Sequence, residues 1–428
     1  MHELKLDVIR RASVVSKDRF SQKDDDEIDN DLVLDLHKAK ILPVYKSKNG
    51  ISWAECIFQL FFSIQGPAFF VLPGGFKDVG YLMGILGAFG VAIFYIYMMQ
   101  LYLWCEKELR RRHKIIEETH LSIYSMVELV FMNTAGQRRL AKVINAYLKY
   151  EIILSWSFSL SFAQLFICQN VGVILRYFNY KTSDRIILLS LFPMTTLISW
   201  VPNLKVMSSI AYFSSLMMVL VMFEIIFFII VDPSPVSQVE VIGDMSKLST
   251  FLATVFFTIV ATPLVFPLKN EMKEPKKFGN LFGSFSSSMM ILIILNVFFS
   301  LFGYIKYGQE TSDNILENLP GNPIMMASNG LLTLAMIAGG AISFFVVFET
   351  VWNDELELLF CNSPNIKLYE YAARTLINLL ITLVPLIIPT CEIFVNLISS
   401  FSYPFDSIVV PILLQAILLW RALVDYYR

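Results

Sequence analysis

The sequence predicts an all-α, polytopic membrane protein with about ten transmembrane helices. The chain has 428 residues, of which 56% are hydrophobic and only 16% are charged. Soluble proteins carry about 25% charged residues. Beyond residue 50, the hydrophobic residues lie in runs of about 20 or more, the length that crosses a hydrocarbon core of roughly 30 Å. This composition excludes a soluble enzyme.

The first 50 residues differ from the rest of the chain. They are polar and mixed in charge, with an acidic stretch at 23–35, a composition typical of segments that form no packed core. We therefore expect a polar cytosolic N-terminal tail at 1–50 and a transmembrane domain at 51–428. The N-terminus lacks the apolar region of a signal peptide.

Apolar runs of sufficient length recur ten times after the tail. The predicted spans are 52–76, 80–104, 141–170, 185–201, 206–231, 248–275, 281–305, 323–352, 369–389 and 391–420.

Basic residues are unevenly distributed between the loops. They concentrate at 107–114 and 138–139, after the second span, and at 269–277, after the sixth, while the intervening loops are poorer in them. Because Lys and Arg are enriched in cytoplasmic loops, we expect both termini in the cytoplasm. The stretch 110–137 has a helical apolar pattern that fits either an amphipathic cytosolic helix or a solvated loop.

Two spans contain helix-breaking residues near their centres. The first reads WAECIFQLFFSIQGPAFFVLPGG, with Gly66-Pro67 in the middle, and the sixth carries Ala261-Thr262-Pro263. Proline removes a backbone donor and glycine tolerates unusual dihedral angles. Breaks in the first and sixth spans correspond under a five-helix offset, which indicates a transport site between two inverted repeats.

The chemistry of such breaks suits a zwitterion. The N–H groups at the start of a half-helix favour a carboxylate, and carbonyl groups at the opposite half-helix end favour an ammonium or a coupling cation. A simple pair of proline kinks is the alternative. The candidate substrate contacts, with three serines as wall residues, are Gln65, Gly66, Pro67, Ala261, Thr262, Ser157, Ser161 and Ser343. For the serines, close helix packing is the alternative.

Charged residues inside spans are candidates for ion coupling, because an unpaired charge there is costly. Three carboxylates stand out: Glu349 near the cytoplasmic end of the eighth span, Glu224 in the fifth, and Asp406 in the tenth. Lys149 and Glu151 enter the third span together and are expected to form a local ion pair. None of the four histidines lies in a span, so a histidine proton relay is not expected.

Several segments resemble the amino acid/auxin permease family. They are IQGPAFFVLPGGFKDVGYLMG in the first span, PLKNEMKEPKKF at 267–278, GYIKYGQETSDNILENLPG at 303–321 and FFVVFETVWND at 344–354. The first segment is most similar to vesicular inhibitory amino acid transporters, and the second to proton-coupled amino acid transporters. Glu349 matches a glutamate of the family's eighth span.

The resemblance implies a LeuT-type fold of five plus five inverted-repeat helices, with helices 1 and 6 broken. It also implies proton- or ion-gradient-linked transport of amino acids, by symport or antiport, in a vesicle or plasma membrane. Two features depart from the family: Ala68-Phe69-Phe70 replaces a second small residue near the first break, and an eleventh span is not found.

Small amino acids, coupling ions and membrane lipid are therefore the expected partners. No basic domain suggests nucleic acid as a partner, and no cysteine pair, glycine loop or nucleophile–base arrangement suggests a metal, a cofactor or an enzyme. Two alternatives to transport stay open. One is an amino acid sensor that signals through its tail, and the other is a structural membrane protein that transports nothing.

Overall fold

The computed structural model describes most of the chain after the predicted tail. The described residues are 51–64, 66–113, 115, 121–131, 135–201, 204–231, 239–280, 282–319, 321–352, 365–390, 398 and 402–427. The predicted tail at 1–50 lies outside them.

The described residues form thirteen α-helices and no β-sheet, which confirms the predicted fold class. The helices are α1 (Trp53–Ile64), α2 (Leu72–Val79), α3 (Tyr81–Arg112), α4 (Ile123–Val130), α5 (Ala135–Tyr177), α6 (Asp184–Ser199), α7 (Leu204–Val231), α8 (Leu248–Ile259), α9 (Thr262–Glu271), α10 (Ser284–Tyr307), α11 (Pro323–Val351), α12 (Ile366–Ile387) and α13 (Val410–Tyr427).

Seven segments among the described residues are long and apolar enough to cross a membrane. They are Tyr81–Arg112, Gln137–Tyr177, Phe213–Val231, Met245–Glu271, Ser284–Glu310, Pro323–Val351 and Ile366–Ile387. The other three predicted spans differ from these seven. The first is divided into short helices, and the fourth corresponds to the 16-residue helix α6. The first part of the tenth lies mostly outside the described residues.

The helices pack in two groups. In one group, α11 packs along α5, and α12 packs along α5 and α6. In the other, α10 packs against α1, α2 and α3, while α8 packs against α2 and α3. A large apolar core, with Phe76, Tyr102 and Phe285 among its fully buried side chains, fills the second group. The divided helices α1–α2 and α8–α9 therefore belong to the same packing unit.

Candidate functional site

The first predicted break is present after α1. Gly66 separates Ile64, at the end of α1, from a 3₁₀ helix at Pro67–Phe70. Gly66 has an extended backbone (φ −136°, ψ −178°) that other residues also adopt. Pro67, which has no N–H group, prevents the hydrogen-bond ladder of α1 from continuing. Gln65 lies outside the described residues.

The second predicted break is also present. Helix α8 ends at Ile259 and α9 begins at Thr262, with Val260 and Ala261 between them. Val260 is extended (φ −68°, ψ 126°), which turns the chain out of the helix. Pro263 follows in the first turn of α9, where its missing N–H disrupts no helical hydrogen bond. The polar ends of two half-helices are therefore buried at mid-span.

A chain of hydroxyl groups connects the second break to the last helix. The Ala261 N–H donates to the Tyr95 hydroxyl (2.8 Å), which lies 3.2 Å from Thr262 Oγ1. Thr262 Oγ1 lies 2.7 Å from Ser407 Oγ, and Ser407 Oγ donates to Asp406 Oδ1 (2.8 Å). We call Tyr95, Thr262 and Ser407 the hydroxyl chain. It joins α3, α9 and the π-helix that precedes α13.

Asp406 is held in the protein interior at the end of this chain. Its side chain lies in a five-residue π-helix, Phe405–Val409, and the residue is only 3% exposed. The Tyr102 hydroxyl donates to its backbone carbonyl (2.5 Å). One of the three predicted coupling carboxylates is therefore connected to the break in the sixth span through the Ser407 hydroxyl.

Glu151, on α5, is a second buried carboxylate. The residue is 5% exposed, and neither carboxylate oxygen has a hydrogen-bond partner among the described residues. It interacts electrostatically with Asp406. Lys149 lies over the Tyr150 ring, 5.7 Å from its centroid. The expected ion pair between Lys149 and Glu151 is thus wrong, because the glutamate points into the protein rather than to the interface.

The other two predicted carboxylates lie apart from the hydroxyl chain. Glu224, on α7, accepts a hydrogen bond from Ser328 on α11 (2.6 Å). Glu349 is half-buried near the C-terminal end of α11, where its carbonyl accepts the Trp352 N–H. Neither contact includes a residue of the breaks.

The predicted wall serines occupy the first helix group. Ser161 is fully buried and donates to the carbonyls of Ser157 and Ile381, both at 2.9 Å, so it links α5 to α12. Ser157 and Ser343 are half-buried. A small cavity lies between α5, α6, α11 and α12, lined in part by Gln164. The three serines do not line it.

The fold and the two breaks define a class: an α-helical membrane transport protein whose interrupted helices create buried polar backbone ends. The comparison with known families agrees. The sequence model of the family described as transmembrane amino acid transporter protein matches residues 49–425. The chain belongs to this family, whose members are transporters rather than enzymes.

Two relatives are similar to this chain over different lengths. The Drosophila melanogaster protein called "Proton-coupled amino acid transporter-like protein pathetic" is 24% identical over 371 residues, which are 86% of this chain and 77% of the relative. The Caenorhabditis elegans "Probable amino acid transporter skat-1" is 24% identical over 137 residues, which are 32% of this chain and 30% of the relative.

Proposed function

We propose that the protein is a secondary active transporter of small amino acids that works by alternating access and is driven by a proton or other ion gradient. The pair of mid-span breaks carries the proposal. At the start of the 3₁₀ segment and of α9, the N–H groups for a substrate carboxylate come from Ala68 and Thr262, since Pro67 and Pro263 have none. The carbonyls at the ends of α1 and α8 provide acceptors for an ammonium.

The packing of the helices supports alternating access. Both divided helices belong to the group formed with α3 and α10, whereas α5, α6, α11 and α12 form the other group. Rocking of one rigid group against another is the usual way in which transporters with broken helices expose a midplane site to each side in turn.

Substrate contacts are proposed for the predicted residues, with the breaks contributing through the backbone. Gln65, Gly66 and Pro67 form the first break, and Ala261 and Thr262 form the second. The Thr262 hydroxyl is already bonded within the hydroxyl chain, so its part in binding falls to its backbone. As wall residues in the facing helix group, we propose Ser157, Ser161 and Ser343.

The sequence and one relative support the proposed coupling, orientation and location. The name of the Drosophila relative refers to proton coupling, and the coupling candidates in this chain are Glu349, Glu224 and Asp406. We propose a cytosolic tail at 1–50, a transporter domain at 51–428 and cytoplasmic termini, because basic residues concentrate in alternate loops. A vesicle membrane or the plasma membrane would suit such a protein.

Reconstitution tests this function. Purified protein in liposomes is offered labelled glycine, alanine, serine and proline, singly, with imposed pH, sodium and voltage gradients. Uptake of at least one amino acid above protein-free liposomes is expected. Binding without flux would favour an amino acid sensor, and neither binding nor flux would contradict the proposal.

A matched pair of variants ties the flux to the first break. Gly66→Leu places a branched side chain at the break and should abolish uptake. Gly90→Leu is the control, because a Cβ at Gly90 meets no atom within 4 Å and the residue is exposed on the surface of α3. Equal uptake by the two variants would show that transport does not depend on the first break.

A further inference from the structure

The hydroxyl chain has one direction, which the donors fix. Ser407 has a single hydroxyl hydrogen and donates it to Asp406 Oδ1, so it must accept from Thr262. Thr262 then accepts from Tyr95, and the Tyr95 oxygen accepts the Ala261 N–H. Every hydrogen in the chain therefore points from the break towards Asp406, an order that requires an acceptor at its end. The Asp406 carboxyl provides that acceptor, and its ionised form accepts a stronger hydrogen bond than its protonated form.

Glu151 has the opposite environment. It is as deeply buried as Asp406, but neither of its oxygens has a hydrogen-bond partner among the described residues. The nearby Ser155 hydroxyl donates to the Ile152 carbonyl instead (3.2 Å). A buried carboxylate without donors is costly in its charged form, and a second negative charge nearby adds to that cost. Protonation of Glu151 removes both contributions while Asp406 keeps its charge.

Among the described residues, the charged and titratable groups around the pair do not offset a double negative charge. Tyr95 and Tyr102 interact with the pair from α3, Cys105 lies near Tyr102, and Tyr403 lies three residues before Asp406. Phenols and thiols are neutral at physiological pH unless they are activated. Lys149 lies two positions from Glu151 on α5, and residues two apart on a helix do not face each other.

We infer that Glu151 and Asp406 form one proton-binding site, a carboxyl pair that takes up a single proton and transmits its charge state to the sixth-span break through the hydroxyl chain. The inference rests on the proposed transport function for its role. Its location rests on the burial of both carboxyls and on the contact of Tyr147, one turn before Glu151, with Phe405, next to Asp406 (ring centroids 4.1 Å apart).

Release of the proton has a mechanical consequence in this arrangement. Loss of the proton from Glu151 leaves two buried negative charges, whose free energy falls only when they separate, are hydrated or receive a cation. If Asp406 moves, Ser407 moves with it and withdraws the acceptor of Thr262, the first residue of α9. Proton release is thereby linked to the position of α9. Tyr95 acts as a positioning residue, since it holds the Ala261 N–H at the other end.

Infrared spectroscopy tests the site without requiring transport. Purified full-length protein at neutral pH should show a carboxylic-acid C=O stretching band that Glu151→Gln removes. Glu310→Gln is the control, because Glu310 is exposed in the loop after α10, and it should leave the band unchanged. A band that persists in Glu151→Gln, or no such band in the wild type, would overturn the inference.

Transport measurements test the coupling. An inward gradient of one pH unit supports about tenfold accumulation per coupled proton, and Glu151→Gln and Asp406→Asn should each reduce this to no accumulation. Both should retain exchange of labelled alanine for unlabelled alanine at equal pH, which shows that the variants are folded. Glu151→Asp, which retains a carboxyl group, should recover part of the accumulation.

The outcomes separate the two proposals. Wild-type protein that exchanges no amino acid contradicts the proposed function, while the infrared result still decides the proton site. Wild-type protein that transports but does not respond to pH, or Glu151→Gln that accumulates alanine as the wild type does, overturns the proton site and leaves transport intact.

Discussion

Tyr95 connects two helices through a single oxygen atom. Its fully buried hydroxyl accepts the Ala261 N–H and contacts Thr262 Oγ1. Ala261 lies between two helices, so its N–H has no partner in a helical ladder. A buried backbone donor requires a partner. Tyr95 therefore supplies the acceptor for a buried N–H group that the backbone leaves without a partner.

Tyr95→Phe should destabilise the protein while preserving its packing. The change leaves the Ala261 N–H buried without an acceptor, which costs about 1–3 kcal/mol. A thermal melt in detergent should show a lower midpoint. Tyr97→Phe is the control, because Tyr97 lies on the same helix and is 58% exposed. Equal midpoints for the two variants would contradict this role of Tyr95.

A buried ionic cluster fixes the other end of α9. The Glu106 side chain is fully buried on α3 and pairs with Lys269 of α9 and with Arg110 (2.9 Å). The Glu106 carboxylate is thus paired with two basic side chains in the protein interior, where an unpaired charge would be costly. Helix α9 is held to α3 at both ends, through Tyr95 at its start and Glu106 near its end.

Glu106→Gln should have a larger effect than a substitution in a neighbouring pair. It leaves the Lys269 ammonium without its partner, at a cost of about 3–5 kcal/mol. Glu274→Gln, just after α9, removes a pair with the exposed Lys277, for which about 0–1 kcal/mol is expected. Chemical denaturation in detergent measures both. The double variant Glu106→Gln/Lys269→Met should lose less than Glu106→Gln alone, and a greater loss would argue against pairing.

Part of the candidate site could be predicted from single residues. Gly66-Pro67 and Ala261-Thr262-Pro263 identified the breaks because an interior proline removes a helical hydrogen bond. Proline alone is not sufficient, since Pro193 and Pro385 lie inside α6 and α12 without dividing them. Asp406 was recognised as a charge inside a span. Tyr95 and Ser407 were not, because they meet Thr262 across 167 and 145 residues, and neither residue type is unusual in a membrane helix.

At the scale of the elements, hydropathy predicted the positions of helices better than their lengths. The eighth span was predicted at 323–352 and the helix is Pro323–Val351. The third was predicted at 141–170, whereas α5 extends over Ala135–Tyr177. Its 43 residues span about 65 Å at a rise of 1.5 Å per residue, more than twice the hydrocarbon thickness. The start of this helix, AGQRRL at 135–140, is polar and carries no hydropathy signal, whereas its end continues the apolar run as far as Leu175.

The turn between α2 and α3 is fixed against the loop before α8. Gly80 has φ +79° and ψ 162°, a conformation almost restricted to glycine. A Cβ there would lie 2.7 Å from the Gly243 nitrogen. The Gly243 N–H donates to the Val79 carbonyl (2.8 Å), and Lys247 pairs with Asp78 (2.7 Å). The two divided helices are therefore joined at this end of the molecule.

Gly80→Ala should destabilise this junction. Backbone strain alone costs about 1–3 kcal/mol, and the clash with the Gly243 backbone adds to it. Gly90→Ala is the matched change on α3, where open space around the Cβ and the better helix propensity of alanine predict no loss or a gain of up to about 1 kcal/mol. Thermal melts of both variants measure the difference. A Gly80→Ala midpoint equal to that of the wild type would contradict the close approach of Gly80 to Gly243.

At the scale of the whole molecule, the sequence predicted which helices exist but not which of them pack together. Apolar runs are similar whether they face lipid or protein, because both are apolar solvents for a side chain. The two helix groups become visible only through contacts such as those of α11 with α5 and of α10 with α1. Polar residues provide a weak hint, since Ser161 links α5 and α12.

The start of the transmembrane domain lies beside the end of the sixth span. The Ile51 N–H donates to the Glu271 carbonyl, and the Lys273 N–H donates to the Ile51 carbonyl, both at 2.9 Å. Ile51, where the described residues begin, therefore lies on the side that carries Lys273, Lys276 and Lys277. Because basic residues mark the cytoplasmic side, one measurement of orientation tests the tail and the loop after α9 together.

Cysteine labelling should place the two ends of the sixth span on opposite sides. Phe282 follows α9 and is 83% exposed, and Ile242 precedes α8 and is 51% exposed. In a chain whose five cysteines are replaced by alanine, Phe282→Cys should react with an impermeant maleimide only from the cytoplasmic side, and Ile242→Cys only from the other. The cysteine-free chain is the control. Reversed labelling would place the tail outside the cytoplasm, and labelling of both sites from one side would mean that α8 and α9 do not together cross the membrane.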